Sequence, residues 1–267
     1  MRRVRAGAAV VAIVCLAAGA CGRSGDASPT TATTTAPASA DAGLTGDLTV
    51  FAAASLTGAF QAARSAFATS APGLHLATDF AGSNALATQI SQGADADVFA
   101  SADAANMQKL VAAGLVDAPV VFARNALQIA VAPGNPKRIT GLRDLGRSDV
   151  AVVLAAIGVP AGDYARQVLD AQHVTVAPRS LETDVKSAMA KVTSGEADAT
   201  VVYVTDVLAA KGSAQGVPVP DADQPAIEYP IAVVKATRHQ AAAEAFIRSA
   251  RAGAVHEALV AAGFRGP

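Results

Sequence analysis

Short apolar runs alternate with amphipathic stretches along the chain from Leu48 onward. The run LTVFAA is typical of a buried strand, and from Leu56 to Phe67 apolar residues recur every three or four positions, which is the period of a helix. The same pairing returns in LHLATDF followed by AGSNALATQISQG, and in ADVFAS followed by ADAANMQKLVAAG. This β-α-β-α-β-α order predicts a mainly parallel sheet covered by helices.

Two longer strand-rich stretches interrupt this alternation. They cover residues 120–134, with a break near Asn125, and residues 225–235. The block between them predicts further short strands and helices, namely DVAVVLAA, PAGDYARQVLDAQ, VTVAP, ETDVKSAMAKVTSG, DATVVYV and DVLAAKG. Helices over 238–250 and 252–262 are predicted to end the chain.

This arrangement predicts an α/β protein with two lobes, because the chain would cross between two sheets twice. We assign residues 48–127 plus 232–267 to lobe 1 and residues 128–231 to lobe 2. Each lobe is expected to be a mainly parallel sheet flanked by helices. Ligands of open α/β sheets lie beyond the carboxyl ends of the strands, so a cleft between the lobes is the expected site.

The first 20 residues have the features of an export signal. Arg2, Arg3 and Arg5 precede an apolar run that ends near Leu16 and is short for a membrane-spanning helix. Small residues then lead to Cys21 in AGAC, which resembles the lipobox of bacterial lipoproteins, with Ala where that family prefers Leu. The resemblance implies a lipid on Cys21; ordinary secretion with cleavage nearby is the alternative.

Residues 21–47 are nearly all Gly, Ser, Thr, Ala, Pro and Asp, with Leu44 as their one large apolar side chain. Such a composition buries too little apolar surface to offset the entropy lost on ordering. We therefore expect a disordered tether that holds the folded part close to the outer face of the cytoplasmic membrane.

Charge and composition exclude several classes of partner. The formal net charge is -1 and the chain has 0 tryptophans and no basic stripe, so a nucleic acid is not expected to bind. Both cysteines, Cys15 and Cys21, lie in the N-terminal segment, so the folded part is expected to have neither a disulfide nor a thiolate ligand. No cofactor is expected, and no metal-ion site, because the four histidines are scattered singly: His75, His173, His239 and His256.

Four predicted helices each begin after a predicted strand. They begin at Ser55, at Ser83, at Pro160 and at the segment Thr183-Asp184-Val185. The first turn of a helix offers unpaired N–H groups and the positive end of the helix dipole, which together attract anions. Serine, threonine and aspartate are also ordinary helix caps, so each of these positions taken alone is more often structural than ligand-binding.

The amino-acid sequence resembles that of one protein family over residues 48–264. The segments FAAASLTGAF, FAGSNALATQISQGADADVFASAD, VPAGDYAR, ETDVKSAMAKV, ATVVYVTD and IEYPIAVVK resemble, in family order, the periplasmic molybdate-binding proteins of bacterial ABC transporters. The resemblance implies a two-lobed, type II solute-binding protein. The protein would capture molybdate for a membrane permease. Tungstate is an equally possible ligand, because the sequence does not distinguish the two anions. The protein is expected to be a monomer.

The resemblance also implies which groups hold the anion. Ser55 and Ser83 would each contribute a hydroxyl and a backbone N–H. Ala161 and Val185 would each contribute a backbone N–H, and Tyr203 its phenol hydroxyl. Gly82 and Asn84 replace serines that are common beside the second serine. Donors alone suit an oxyanion that only accepts hydrogen bonds, whereas hydrogen phosphate carries a proton that needs an acceptor.

Two alternatives remain open at this point. One is a binding protein for another tetrahedral oxyanion, such as sulfate or phosphate, on the same fold. The other is an enzyme of unknown reaction, but the chain has no G-x-S-x-G, G-x-G-x-x-G or P-loop motif. Without the family resemblance, Tyr203 would be read as a core tyrosine.

Overall fold

The computed structural model describes Asp41 and residues 43–267. The predicted signal, Cys21 and most of the predicted tether lie outside the described residues. Within the described part of the chain, no helix is both long and apolar enough to cross a membrane.

The described residues form ten strands and eight α-helices. The strands are β1 (Thr45–Ala53), β2 (Gly73–Ala81), β3 (Val98–Ala100), β4 (Val120–Asn125), β5 (Leu127–Val131), β6 (Val152–Ala155), β7 (Leu181–Glu182), β8 (Ala199–Tyr203), β9 (Gln215–Pro218) and β10 (Ile227–Val233). The helices are α1 (Thr57–Ser70), α2 (Ser83–Ser91), α3 (Ala104–Ala112), α4 (Pro160–Ala171), α5 (Val185–Thr193), α6 (Val204–Ala209), α7 (Gln240–Ala252) and α8 (Ala254–Ala261).

The strands build two five-stranded sheets, as expected for two lobes. The first sheet has the order β2-β1-β3-β10-β4, and the second has the order β7-β6-β8-β5-β9. In the first sheet β1 runs parallel to β2 and β3, whereas β10 runs antiparallel to β3 and β4. The second sheet repeats this division, with β6 parallel to β7 and β8 and with β5 antiparallel to β8 and β9. Each sheet is therefore mixed, and the expected mainly parallel pairing holds for only half of each.

The antiparallel halves arise where the chain crosses between the sheets. It leaves the first sheet at the end of β4 and enters the second at the start of β5, with Ala126 between the two strands. It returns between β9 and β10. Because β10 pairs along its whole length within the first sheet, residues 227–231 belong to that sheet, although the predicted boundary placed them in lobe 2.

Aromatic side chains from distant parts of the chain hold the first lobe together. The Phe60 ring on α1 packs edge-on against Phe246 on α7, with 5.4 Å between the ring centroids. Phe67, two helical turns further along α1, packs against the same ring with 5.4 Å between the centroids. The apolar period read between Leu56 and Phe67 thus marks the side of α1 that is buried in the core.

Three local predictions were wrong. The strand β1 begins at Thr45, inside the predicted tether, because Thr45–Asp47 pair in register with β2. The segment VTVAP is not a strand: Val174 and Val176 pack against the core from an irregular loop, and the short β7 pairs with β6 instead. The strand β9 was missed because only one of its residues, Val217, is buried, so it shows no alternation.

Candidate functional site

One small cavity lies between the two lobes, where helix starts from both lobes meet. All five predicted site residues line it, together with small neighbours; the lining residues are Ala53, Ala54, Ser55, Ala81, Gly82, Ser83, Ala102, Val159, Pro160, Ala161, Asp184, Val185 and Tyr203. The cavity volume is about 10 Å³. The cavity therefore suits one small, compact group.

Ser55 is not a helix cap. It lies in a short 3-10 turn, Ala54–Leu56, that comes before α1, and its side chain makes no capping bond to the helix. Its Oγ lies instead 3.0 Å from the hydroxyl of Tyr229 on β10. Both side chains are buried, so this serine hydroxyl is held between a tyrosine and the cavity.

Ser83 is the first residue of α2, after Gly82, and it is also not a cap. Its Oγ accepts a hydrogen bond of 3.0 Å from the backbone N–H of Ala102. Since a backbone N–H can only donate, the proton of the Ser83 hydroxyl remains free to be donated to another group.

The second lobe contributes the starts of α4 and α5. Proline is the first residue of α4, as its fixed φ favours, and Ala161 follows it. Gly162 lets this turn lie against the end of β6, because a Cβ there would be 2.3 Å from the carbonyl oxygens of Ala155 and Ala156. The N–H groups of Ala161 and Val185 are in the first turns of their helices, where they have no intrahelical partner.

Asp184 caps α5, as predicted from its position. Its carboxylate accepts backbone hydrogen bonds from Lys186 at 2.7 Å and from Ser187 at 3.0 Å. It is the only carboxylate among the described residues that line the cavity, and none of those residues is a lysine or an arginine. The electrostatic attraction of this site for an anion therefore comes from N–H groups and helix dipoles, with no formal positive charge in its wall.

Tyr203, at the end of β8, is 1% exposed, and its hydroxyl has no hydrogen-bond partner within the described residues. A buried unpaired hydroxyl costs about 1–3 kcal/mol, so a ligand oxygen placed here would relieve a penalty. Burial raises the pKa of Tyr203 well above its usual value, and the phenol therefore keeps the proton that it would donate.

An ion pair between the partly exposed Lys186 and the buried Asp206 links the end of the strand that carries Tyr203 to the helix that carries Val185. The backbone N–H of Tyr203 donates to Oδ2 of Asp206 at 3.2 Å, and Oδ1 of the same carboxylate lies 3.0 Å from Nζ of Lys186. Burial raises the pKa of Asp206, and the nearby Lys186 ammonium opposes that rise. The pair fixes the two second-lobe elements relative to each other.

Tyr229 and Asn125 contact the site without lining it, and neither was predicted from the sequence as a site residue. Asn125 Nδ2 is 3.4 Å from the Tyr229 hydroxyl, which in turn contacts Ser55. The resemblance of IEYPIAVVK to the family indicates no role for Tyr229, and the pattern around Asn125 indicates only a break between strands. No group of three histidine, cysteine, aspartate or glutamate side chains that could hold a metal ion occurs among the described residues.

Two mixed α/β sheets, two crossings between them and a donor-lined cavity at their interface define a two-lobed, type II solute-binding protein. The chain belongs to the bacterial extracellular solute-binding protein family, whose family model matches residues 48–265.

Comparison with individual proteins agrees with this assignment. The chain is 41% identical over 235 residues to the molybdate-binding protein ModA of Mycobacterium tuberculosis, covering 86% of this chain and 90% of that protein. The periplasmic molybdate-binding protein of Azotobacter vinelandii has a similar fold, with a TM-score of 0.69, 22% identity and coverage of 82% of this chain and 99% of that one. The sulfate-binding protein SubI of Mycobacterium tuberculosis also shares the fold, with a TM-score of 0.72, 22% identity and coverage of 82% and 86%.

Proposed function

We propose that this protein captures molybdate outside the cytoplasmic membrane and delivers it to the permease of an ABC importer. The observation that carries the proposal is the buried, unpartnered Tyr203 hydroxyl in a cavity built from helix starts of both lobes. The anion would accept hydrogen bonds from the hydroxyls of Ser55, Ser83 and Tyr203. It would also accept from the backbone N–H groups of Ser55, Ser83, Ala161 and Val185.

The donor set agrees with the charge state of this ligand. Molybdate is a fully deprotonated dianion at neutral pH, and its four oxygens only accept hydrogen bonds. Hydrogen bonds to a charged group contribute about 1.5–3 kcal/mol each, so several of them provide tight binding without a lysine or arginine. Tungstate has nearly the same size and charge and is expected to bind as well.

Sulfate is the second candidate, because the fold is shared with a sulfate-binding protein. Sulfate is also fully deprotonated at neutral pH, so a site made of donors does not reject it by charge. The closer sequence relationship to a molybdate-binding protein, at 41% identity, favours molybdate. Phosphate is disfavoured because its protonated form needs an acceptor, and Asp184, the carboxylate among the described lining residues, already accepts hydrogen bonds from the backbone of Lys186 and Ser187.

The proposed role is binding and delivery, without a chemical reaction, cofactor or metal cation. Molybdenum would enter as the centre of an oxyanion, held through its oxygens. We further propose a monomer, since one chain supplies every group of the proposed site.

Calorimetry of the purified protein with molybdate, tungstate, sulfate and phosphate tests the proposal. We expect tight binding of molybdate and tungstate, weaker binding of sulfate, and the weakest binding of phosphate. Equal or stronger binding of sulfate would reject molybdate as the ligand.

The variant Ser55→Ala tests the site. It removes one hydroxyl donor, and loss of one hydrogen bond to a charged ligand corresponds to about 10- to 150-fold weaker binding. Ser65→Ala changes an exposed serine on α1 and serves as the control, with unchanged affinity. Unchanged molybdate affinity in Ser55→Ala would remove Ser55 from the proposed site.

We also propose that Cys21 carries a lipid that anchors the exported protein at the outer face of the cytoplasmic membrane. The support is the AGAC sequence after a signal-like segment. One acyl chain gives only reversible attachment, whereas two or more hold a protein stably at a membrane. Cys21→Ala should move the protein out of the membrane fraction or leave its signal uncleaved; unaltered fractionation and processing would exclude the anchor.

A further inference from the structure

The two serines of the cavity receive their outer hydrogen bonds from different kinds of group. Ser83 Oγ accepts from the N–H of Ala102, which leaves its proton free for the cavity. Ser55 Oγ is paired with the Tyr229 hydroxyl at 3.0 Å, and either hydroxyl is able to donate to the other. The direction of this one bond decides whether Ser55 presents a proton or only lone pairs to a ligand.

The side chain of Asn125 decides that direction. Its Oδ1 accepts the backbone N–H of Ala126 at 2.9 Å, which orients the amide. The amide nitrogen is therefore turned toward Thr205 Oγ1, at 2.9 Å, and toward the Tyr229 hydroxyl, at 3.4 Å. An amide nitrogen only donates, so the Tyr229 oxygen accepts from it and the tyrosine proton is left for Ser55 Oγ.

Burial supports this directed chain of bonds. Tyr229 is 0% exposed, and Asn125 and Ser55 are also buried, so water does not compete for these groups. Burial also raises the pKa of Tyr229, which keeps the phenol protonated. Hydrogen bonds in such a low-dielectric network polarise one another in the same direction.

We propose that Asn125 and Tyr229 are positioning residues that fix Ser55 as a hydrogen-bond donor toward the ligand, so that the site selects fully deprotonated oxyanions over protonated ones. The inference rests on the proposed function, because it needs an oxyanion in the cavity. It extends that function by assigning part of the ligand selectivity to two residues that do not touch the ligand. The chain of bonds starts beside Ala126, where the chain crosses between the lobes.

Tyr229→Phe tests the proposal, with Tyr164→Phe as the control. Both remove one phenol oxygen, but Tyr164 lies outside the cavity lining and is only half-buried. In Tyr229→Phe the Ser55 hydroxyl is free to turn, so molybdate should bind about 2- to 12-fold more weakly, which is the effect of one neutral hydrogen bond. The ratio of molybdate to phosphate affinity, measured by competition at pH 7, should fall, because the turned serine is able to accept the phosphate proton.

Asn125→Asp provides a second test, since a carboxylate reverses the chain. Tyr229 would then donate to residue 125 and accept from Ser55, which would turn lone pairs toward the ligand. In the unaltered protein, Asn125→Asp would weaken molybdate binding both by its negative charge and by reversing the hydrogen bonds. In the Tyr229→Phe background only the negative charge remains, so the same change should weaken binding by a smaller factor. Equal factors in the two backgrounds would overturn the proposal.

The outcomes separate this inference from the proposed function. If the unaltered protein binds none of the oxyanions, both are rejected. If it binds molybdate and Tyr229→Phe keeps the same affinity ratio as Tyr164→Phe, only the positioning role is rejected. Melting curves of each variant establish that the comparison is made between folded proteins.

Discussion

Asn106 on α3 donates a hydrogen bond from Nδ2 to the carbonyl oxygen of Gly158, 3.2 Å away in the other lobe. Gly158 belongs to the turn that leads into α4, and the same amide nitrogen also donates to Oδ2 of Asp103 at 2.9 Å. The bond joins the first lobe to the turn that positions Ala161. It therefore holds the two lobes together at the edge of the cavity.

Asn106→Ala is expected to weaken molybdate binding by about 2- to 12-fold, because it removes one neutral hydrogen bond between the lobes that meet around the ligand. The loss should appear in the dissociation rate, measured by stopped-flow displacement. Lys109→Ala is the control, since Lys109 contacts Oδ1 of Asn106 at 2.7 Å and leaves the bond to Gly158 intact. Equal dissociation rates for the two variants would show that the contact between the lobes does not contribute.

Tyr203→Phe should change affinity and stability in opposite directions. Removal of the unpartnered hydroxyl should raise the unfolding free energy of the ligand-free protein by up to about 1–3 kcal/mol, because a buried unsatisfied group is lost. Molybdate binding should weaken by about 10- to 150-fold, because a donor to a charged ligand is lost. Urea unfolding and calorimetry on the same preparation measure both, and a fall in stability with normal affinity would return Tyr203 to a purely structural role.

Gly162→Ala should distort the start of α4. Its Cβ would overlap two backbone carbonyl oxygens at 2.3 Å, so the helix must move, at a cost of about 1–3 kcal/mol, and carry Ala161 with it. We expect a lower melting temperature together with weaker molybdate binding.

Gly58→Ala is the matched control for that change. A Cβ at Gly58 meets no atom within 4 Å, and the residue lies inside α1. Alanine is a better helix former by about 0.5–1 kcal/mol, so this variant should be more stable and bind normally. If both glycine variants behave alike, the close approach at Gly162 is not what positions the helix.

Lys186→Met should destabilise the ligand-free protein in a pH-dependent way. The pKa of Asp206 is already raised above its ordinary value of 3.8 by burial, and removal of the ammonium that opposes this rise should raise it further. Between pH 3.8 and the raised native pKa, Asp206 is protonated in the folded state but ionised in the unfolded state. The free energy of unfolding therefore falls as the pH rises through the native pKa of Asp206. Near pH 4 the variant and the parent should be close.

The expected loss for Lys186→Met at pH 7 is about 1–3 kcal/mol, below that of a fully buried pair because Lys186 is 37% exposed. Urea unfolding at pH 7 and pH 4.5 measures it. Lys191 lies on the same helix as Lys186 and pairs with the exposed Glu196 beyond the end of that helix. Lys191→Met breaks that pair and should have a smaller effect. A loss that does not shrink on acidification would mean that the Asp206 charge is not its cause.

The helix starts of the site could be predicted from the sequence because each depends on local pattern. At Ser55, Ser83, Pro160 and Asp184, a serine, proline or aspartate stands at the beginning of a helical period that comes after an apolar run of strand length. The structure places helix or 3-10 turns at all four. The local pattern gave a wrong prediction where side chains are buried without strand pairing. Val174 and Val176 pack against the core as strand residues would, but their backbone joins no sheet.

The sequence by itself thus determined most of the order of elements, the two crossings and the helix starts around the cavity, since these follow from periodicity and from the neighbours of each residue along the chain. Only the tertiary structure decided the mixed pairing of the sheets, the partner of Ser55 and the contact between Asn106 and Gly158. Ser55 and Tyr229 are 174 positions apart, and Asn106 and Gly158 are 52 apart. Whether such groups meet depends on how the two segments that cross between the sheets position one lobe against the other. A hydrogen bond also forms only within a few tenths of an ångström of its ideal length, a precision that no local pattern encodes.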